Sequence, residues 1–282
     1  MTEPQTLMDG IAFGESPRWH EDRLWFSDWG AQEIVAVDLD GNSEVMVRAA
    51  TSAPFCIDWL PDGRLMVVSG PEARLLSWEP DGSLVDHADL GGLSGHPWND
   101  IVVDGWGNAY VGNIGFDFPA GEFAPGSLAL VTPDGEARQV ADGLAFPNGV
   151  AVTPDNSTLI LAESCGGRLT AFDIRAGGGL SNRRVWADLD GGVPDGICLD
   201  AEGAVWYADV PNERCVRVRE GGEVLQTIEL DRGCFACMLG GPDGKTLFMV
   251  AREWRGTESA AHERRTGQIL TAPAPAARAG RP

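Results

Sequence analysis

No run of about 18 apolar residues occurs anywhere in the 282-residue chain, and its opening, MTEPQTLMDG, has no basic segment leading into an apolar one. The expectation is a soluble, cytoplasmic protein with neither a helical membrane span nor a secretory leader. Positive charge is scarce too: 21 Lys and Arg stand against 42 Asp and Glu, a net of −21 that repels phosphate backbones and anionic membrane surfaces. Nucleic acid and membranes are therefore not expected partners. Most of the acidic excess reads as solvated surface, although it also suits a site that attracts cations. Cysteine is sparse for the length, and the six (Cys56, Cys165, Cys198, Cys215, Cys234, Cys237) do not form a disulfide scaffold. Cys234 and Cys237 make a C-x-x-C, but no second pair, nearby His pair or βαβ context completes a zinc or redox site, so buried structural thiols are expected.

Helix-period runs are also scarce, whereas glycine (37) and proline (18) are plentiful and short apolar stretches end repeatedly at Pro-Asp-Gly-like turns. The stretches HEDRLWFSD (20–28), PDGRLMVVS (61–69), GWGNAYVGN (105–113), PDNSTLILAE (154–163), AEGAVWYAD (201–209) and PDGKTLFMVA (242–251) each feed a polar turn into an apolar strand. Six copies at roughly 40–50-residue spacing predict an all-β fold, a six-bladed β-propeller with a central channel. One domain is expected over residues 1–272. The last blade is short of sequence, so a strand near residues 5–12 is expected to complete it and close the ring. Residues 273–282, PAPAARAGRP, read as a frayed tail.

Counting six residues back from the first turn residue of each copy gives Glu15, Phe55, Asn99, Asn148, Asp195 and Ala236. Equivalent positions of successive blades are related by rotation about the channel, so these side chains should ring one level of it. Four of the six offer oxygen. Alone, "PNG" or "PDG" is a turn signal; the shared register is what singles these residues out. Two carboxylates and two carboxamides suit Ca²⁺, which takes six to eight oxygens, and do not suit a structural zinc. Mn²⁺, Mg²⁺, Zn²⁺ or Fe²⁺ are possible alternative occupants of such an oxygen-rich site.

GESPRW (14–19), NDIVVDGWGNAYVGN (99–113), FPNGVAV (146–152), LSNRRVWADL (180–189) and VPDGICLDAEGAVWYAD (193–209) together resemble the signatures of the regucalcin/gluconolactonase family, from about residue 10 to residue 252. The resemblance implies a six-bladed propeller with a divalent metal in its channel, hydrolysing sugar lactones or related cyclic esters. It implies Glu15, Asn148 and Asp195 as metal ligands, with Asn99 beside the metal, binding substrate or completing the shell. The family often has an Arg shortly before the Asn-Asp pair; here GHPWND places His96, Pro97 and Trp98 there, which argues against a strongly polar sugar.

Lactone hydrolysis needs a polarised carbonyl, an activated water and a stabilised oxyanion. Calcium acidifies water weakly, so a carboxylate general base is expected, and Asp195 is the candidate. His96 is a candidate for contacting substrate or moving the leaving-group proton, Trp98 and Trp29 for apolar pocket walls, Asp100 for a supporting or turn residue, and IGFDFPAGEFAPG (114–126) for a lid or channel wall. Two alternatives are a phosphotriesterase-type hydrolase on the same site and a non-catalytic calcium-binding propeller scaffold.

Overall fold

The computed structural model describes residues 3–49, 51–256 and 265–281. The Pro-Asp-Gly turns form as their chemistry dictates. In Pro61-Asp62-Gly63 the Asp62 carboxylate accepts the Arg64 N–H at 3.1 Å, while Gly63 supplies the positive φ of 89° that the reversal needs. Such turns join strands within six antiparallel sheets, numbered here as blades in chain order.

Blade 1 comprises Gly14–His20, Arg23–Asp28, Glu33–Val37 and Ser43–Arg48; blade 2, Phe55–Trp59, Leu65–Ser69, Arg74–Trp78 and Leu84–Asp89; blade 3, Trp98–Val103, Ala109–Asn113, Gly126–Val131 and Ala137–Leu144. Blade 4 comprises Pro147–Val152, Thr158–Glu163, Arg168–Ile174 and Leu180–Asp188, and blade 5 Pro194–Asp200, Val205–Asp209, Arg214–Val218 and Val224–Glu229. Blade 6 takes Gly233–Gly240, Thr246–Arg252 and Gly267–Pro273 from the end of the chain and its outermost strand, Gln5–Ile11, from the start. That strand pairs antiparallel with Gly267–Pro273, so the ring closes as the short last blade predicts. No described helix is long and apolar enough to cross a membrane.

The core lies between blades, because each sheet buries both faces against its neighbours. Trp25, Ile34, Phe55 and Ile57 fill the seam between blades 1 and 2, for example, and Tyr110, Leu128, Val150 and Leu161 the seam between blades 3 and 4. Five of the six cysteines are buried and none is disulfide-bonded; Cys165 is exposed. Cys234 and Cys237 lie in the large core of blades 5, 6 and 1, as expected of structural thiols.

The expectation of a frayed tail does not hold over 273–281. Arg278 and Ala279 pair antiparallel with Asp200 and Leu199 on the inner edge of blade 5, and Arg281 bridges Val152 of blade 4 through hydrogen bonds of 2.6 and 2.8 Å. Ala274 and Ala276 are buried. Backbone pairing to unoccupied inner strand edges, together with burial of small side chains, holds a segment whose composition alone reads as disordered. Pro282 lies outside the described residues.

Candidate functional site

The innermost strand of every blade lines the channel, and in five of the six it is irregular. The pairing register of blade 1 shifts between Glu15 and Arg18, that of blade 3 between Trp98 and Ile101, that of blade 4 between Pro147 and Val150, and that of blade 5 between Pro194 and Ile197. Asn99, Asn148 and Asp195 therefore sit within bulges and Glu15 borders one. The inner strand of blade 2, whose equivalent residue is Phe55, pairs with its neighbour in regular register. A bulge interrupts the alternation of a strand and re-aims a side chain, and it does so wherever this ring carries an oxygen.

The bulged strands also approach one another closely. A Cβ on Gly149 would lie 2.4 Å from the Asp195 carbonyl oxygen and 2.6 Å from the Ile197 nitrogen, and one on Gly196 would lie 2.6 Å from the Ala236 Cβ. The glycines of PNG and PDG thus serve the packing of neighbouring strands, a reason distinct from turn formation.

Glu15 and Asn99 are buried, and Asn148 and Asp195 half-buried. The Asn99 Nδ2 donates to Asn148 Oδ1 at 3.3 Å, and the Asn148 Nδ2 donates to Ser164 Oγ at 3.2 Å, which in turn donates to the Pro194 carbonyl at 2.7 Å. This relay ties blades 3, 4 and 5 together and directs the Asn148 oxygen toward Asn99. Glu15, Asn99, Asn148, Asp100, Gly196 and Cys237 are among the residues facing an enclosed space of about 10 Å³, which matches a single water or ion in size.

Burial first, and then the neighbouring carboxylates of Asp195 and Asp100, raise the pKa of Glu15 well above its usual range. Burial and Asp100 do the same to Asp195, partly offset by the Asn148 amide. The buried cation on the same space is Arg18. Arg18 donates to Asp100 at 3.2 Å, to the Ile101 carbonyl at 2.6 Å and to the Pro17 carbonyl at 2.9 Å, and its Nε is 3.8 Å from Asp58. With Asp58 and Asp100 absorbing that single charge, Glu15 and Asp195 are left for a further cation to neutralise. A hard divalent ion fits this donor set: two carboxylates, two carboxamide oxygens and no thiolate or imidazole in the ring.

The remaining sequence candidates divide. Asp100 faces the same small space, its carboxylate held by the Ile101 N–H at 2.8 Å and by Arg18. Trp98 is corrected: its side chain is fully buried among Val68, Ile101 and Val111 between blades 2 and 3, so it is a core residue and neither a pocket wall nor part of a metal shell. Its neighbour Asn99 takes the channel side, and Trp98 the inter-blade side. His96 lies on the loop before blade 3, half exposed, with Nδ1 3.1 Å from Asp117 of the 114–126 segment; the contacts of its side chain lie there and not with the oxygen ring. Trp29 is half-buried, donates to the Phe55 carbonyl at 2.6 Å and packs 5.1 Å from Phe13.

Sequence reasoning missed Arg18 and Ser164. Arg18 stands in the GESPRW motif, but only its burial beside two carboxylates marks it out. Ser164, the residue after the second strand of blade 4, carries no local signal. The aromatic surroundings were also only partly visible: Phe13, Trp29, Phe235 and Trp254 form one chain of ring contacts, and Phe116, Phe118, Phe123 and Phe146 another. Both groups flank the ends of strands that carry the ring residues.

Comparison with known proteins bears on this geometry. The family model for the SMP-30/Gluconolactonase/LRE-like region matches residues 13–253. Regucalcin of Xenopus laevis is 30% identical over 251 residues, covering 84% of this chain and 82% of its own. Among solved structures, the calcium-binding protein regucalcin from Agrobacterium tumefaciens superposes with a TM-score of 0.78 at 22% identity over 99% of this chain and 95% of its own. A gluconolactonase from Xanthomonas campestris superposes with a TM-score of 0.75 at 24% identity over 96% and 89%. At these identities the solved structures speak to the fold.

Proposed function

The chain belongs to the SMP-30/gluconolactonase/LRE-like family, and from that premise we propose that it is a divalent-metal-dependent hydrolase that opens lactones or related cyclic esters, with Ca²⁺ the ion best suited to the site. The observation that carries the reading is the convergence of Glu15, Asn99 and Asn148, at or beside bulges, on one small space, with Asp195 close enough to act on Glu15 and to bond Asn148, and with burial outweighing the pull of Arg18 on Glu15. Similarity to a calcium-binding regucalcin and to a gluconolactonase supports the same pairing of ion and substrate.

Glu15, Asn148 and Asp195 would hold the metal, and Asn99 would complete the shell or contact substrate. When bound, the ion supplies polarisation of the ester carbonyl and stabilisation of the tetrahedral oxyanion. Asp195 takes the proton of the attacking water. Its effectiveness comes from placement: the close approach of Gly149 to its backbone and the bulge around it hold the carboxylate in one position. Asn148, with its amide nitrogen engaged by Ser164, and Asn99, engaged by Asn148, orient water and substrate. The aromatic groups around Phe13 and Phe116 favour a cyclic ester with apolar substituents over a polyhydroxylated ring.

A panel of γ- and δ-lactones, apolar and sugar-derived, assayed beside a phosphotriester with and without chelator, tests the proposal. Chelator-sensitive turnover of lactones is expected, fastest for apolar rings. Preferential phosphotriester turnover would move the reaction to phosphorus, and calcium binding without hydrolysis of any substrate would leave a binding scaffold.

A further inference from the structure

The channel has a second mouth, where the inner strands end, and the C-terminal segment crosses it along blades 5 and 4. A cavity of about 490 Å³ opens there, with Trp19, His20, Trp59, Asp58, Arg278 and Arg281 among its walls. Both terminal arginines face it from a chain of net charge −21. The Arg278 Nη1 donates to the Trp19 carbonyl at 3.1 Å, and Arg281 is anchored through its backbone to Val152, its guanidinium making no hydrogen bond among the described residues. Among the described residues no carboxylate lies within ion-pair distance of either. Asp58, the buried acid of this wall, is already engaged by the Trp59 and Val103 N–H groups at 2.9 and 2.7 Å and by Arg18. His20 stacks on Trp59, with ring centroids 4.2 Å apart and planes 15° from parallel, giving one wall a flat apolar body.

We propose that this far mouth is a binding site for a small organic anion with two or more negative charges, a phosphate ester or a polycarboxylate, gripped by Arg278 and Arg281 against the His20–Trp59 wall. Two forked guanidinium groups, Arg278 bonded only to a backbone carbonyl and Arg281 bonded by no side-chain contact among the described residues, match the oxygens of such a group, and each charge-assisted contact is of the strong kind. Burial first, and then the neighbouring Arg281, push the Arg278 pKa down, and Asp58 offsets them only in part. The cavity far exceeds the space a bare inorganic anion needs, hence an organic body.

Calorimetric titration of the metal-stripped protein, passed free of chelator, with phenyl phosphate and with citrate tests this and separates the two sources of the anion. One-to-one binding of at least one is expected. Arg281→Gln should weaken it about tenfold, and Arg278→Gln with Arg281→Gln about a hundredfold, while calcium binding and lactone turnover stay as in the parent. Glu15→Gln should leave anion affinity intact, so failure of the metal site and failure of this site are distinguishable. No heat from either anion, or affinity unchanged in Arg281→Gln, overturns the proposal.

Discussion

Replacing Glu15 by Gln tests the ring most directly, because the structure assigns the change opposite signs with and without a metal. In the metal-free protein Glu15 is buried, and its charged form is opposed by burial and by the carboxylates of Asp195 and Asp100. Gln preserves the shape and removes the repulsion, so the metal-free variant should be more stable than the parent at neutral pH by on the order of 1 kcal/mol, the usual scale for relieving one unfavourably buried polar group. For a chain of this size the melting temperature rises by roughly 2–4 °C. With calcium the sign reverses. One of two anionic donors is lost, and affinity falls about a hundredfold or more, so the variant should melt below the parent at calcium concentrations that saturate the parent. Differential scanning calorimetry in chelator and in a calcium series reads both effects. A shift of the same sign in both conditions, or unchanged calcium affinity, would refute the assignment of Glu15 to a cation.

Asp195→Asn should lower lactone turnover about 10²–10⁴-fold, the usual contribution of a positioned base; stopped assays at saturating calcium check that the loss exceeds that of metal occupancy. Trp98→Ala should cost about 3–5 kcal/mol of stability as a core truncation while leaving KM per folded molecule unchanged, whereas a pocket wall would change KM. Gly149→Ala should lose stability and activity together, because the added Cβ would meet the backbone of Asp195 at 2.4 Å, and neither partner is a flexible side-chain end. The raised pKa values of Glu15 and Asp195 make the pH dependence definite. Both groups hold their protons to higher pH in the fold than in the unfolded chain, so metal-free stability should fall as pH rises above the ordinary carboxylate range of about 4. Calcium must displace those protons, and its affinity measured by titration should weaken as pH falls through the same interval.

The blades were legible because their signals are local and repeated: a turn residue pair with a fixed conformational demand, then an apolar run, six times. The ring was legible for a related reason, since rotation about one axis converts a repeat register into a spatial neighbourhood. What failed were the residues whose place depends on where one strand meets another. Trp98 precedes Asn99 in the sequence, and a strand sends neighbours to opposite faces, so closeness in the motif meant separation in space. Arg18 could not be recognised until Asp58 of blade 2 and Asp100 of blade 3 were brought to it. The terminal segment reads as a loose tail until the open inner edges of Leu199 and Val152 supply its partners.

The same reasoning explains why the oxygen residues come with glycine in blades 4 and 5 and without it in blades 1 and 3. Asn148 and Asp195 are followed by Gly149 and Gly196, each pressed against the backbone of the next blade's inner strand. Glu15 and Asn99 are followed by Ser16 and Asp100, which use the corresponding positions for bonds of their own: Ser16 Oγ accepts the Ile57 N–H at 2.9 Å, and Asp100 binds Arg18. One half of the ring is thus assembled by close backbone packing and the other by buried polar contacts. Since the packed half carries Asn148 and Asp195, the residues proposed to orient and activate water, the demand for placement falls where the backbone has least room to move.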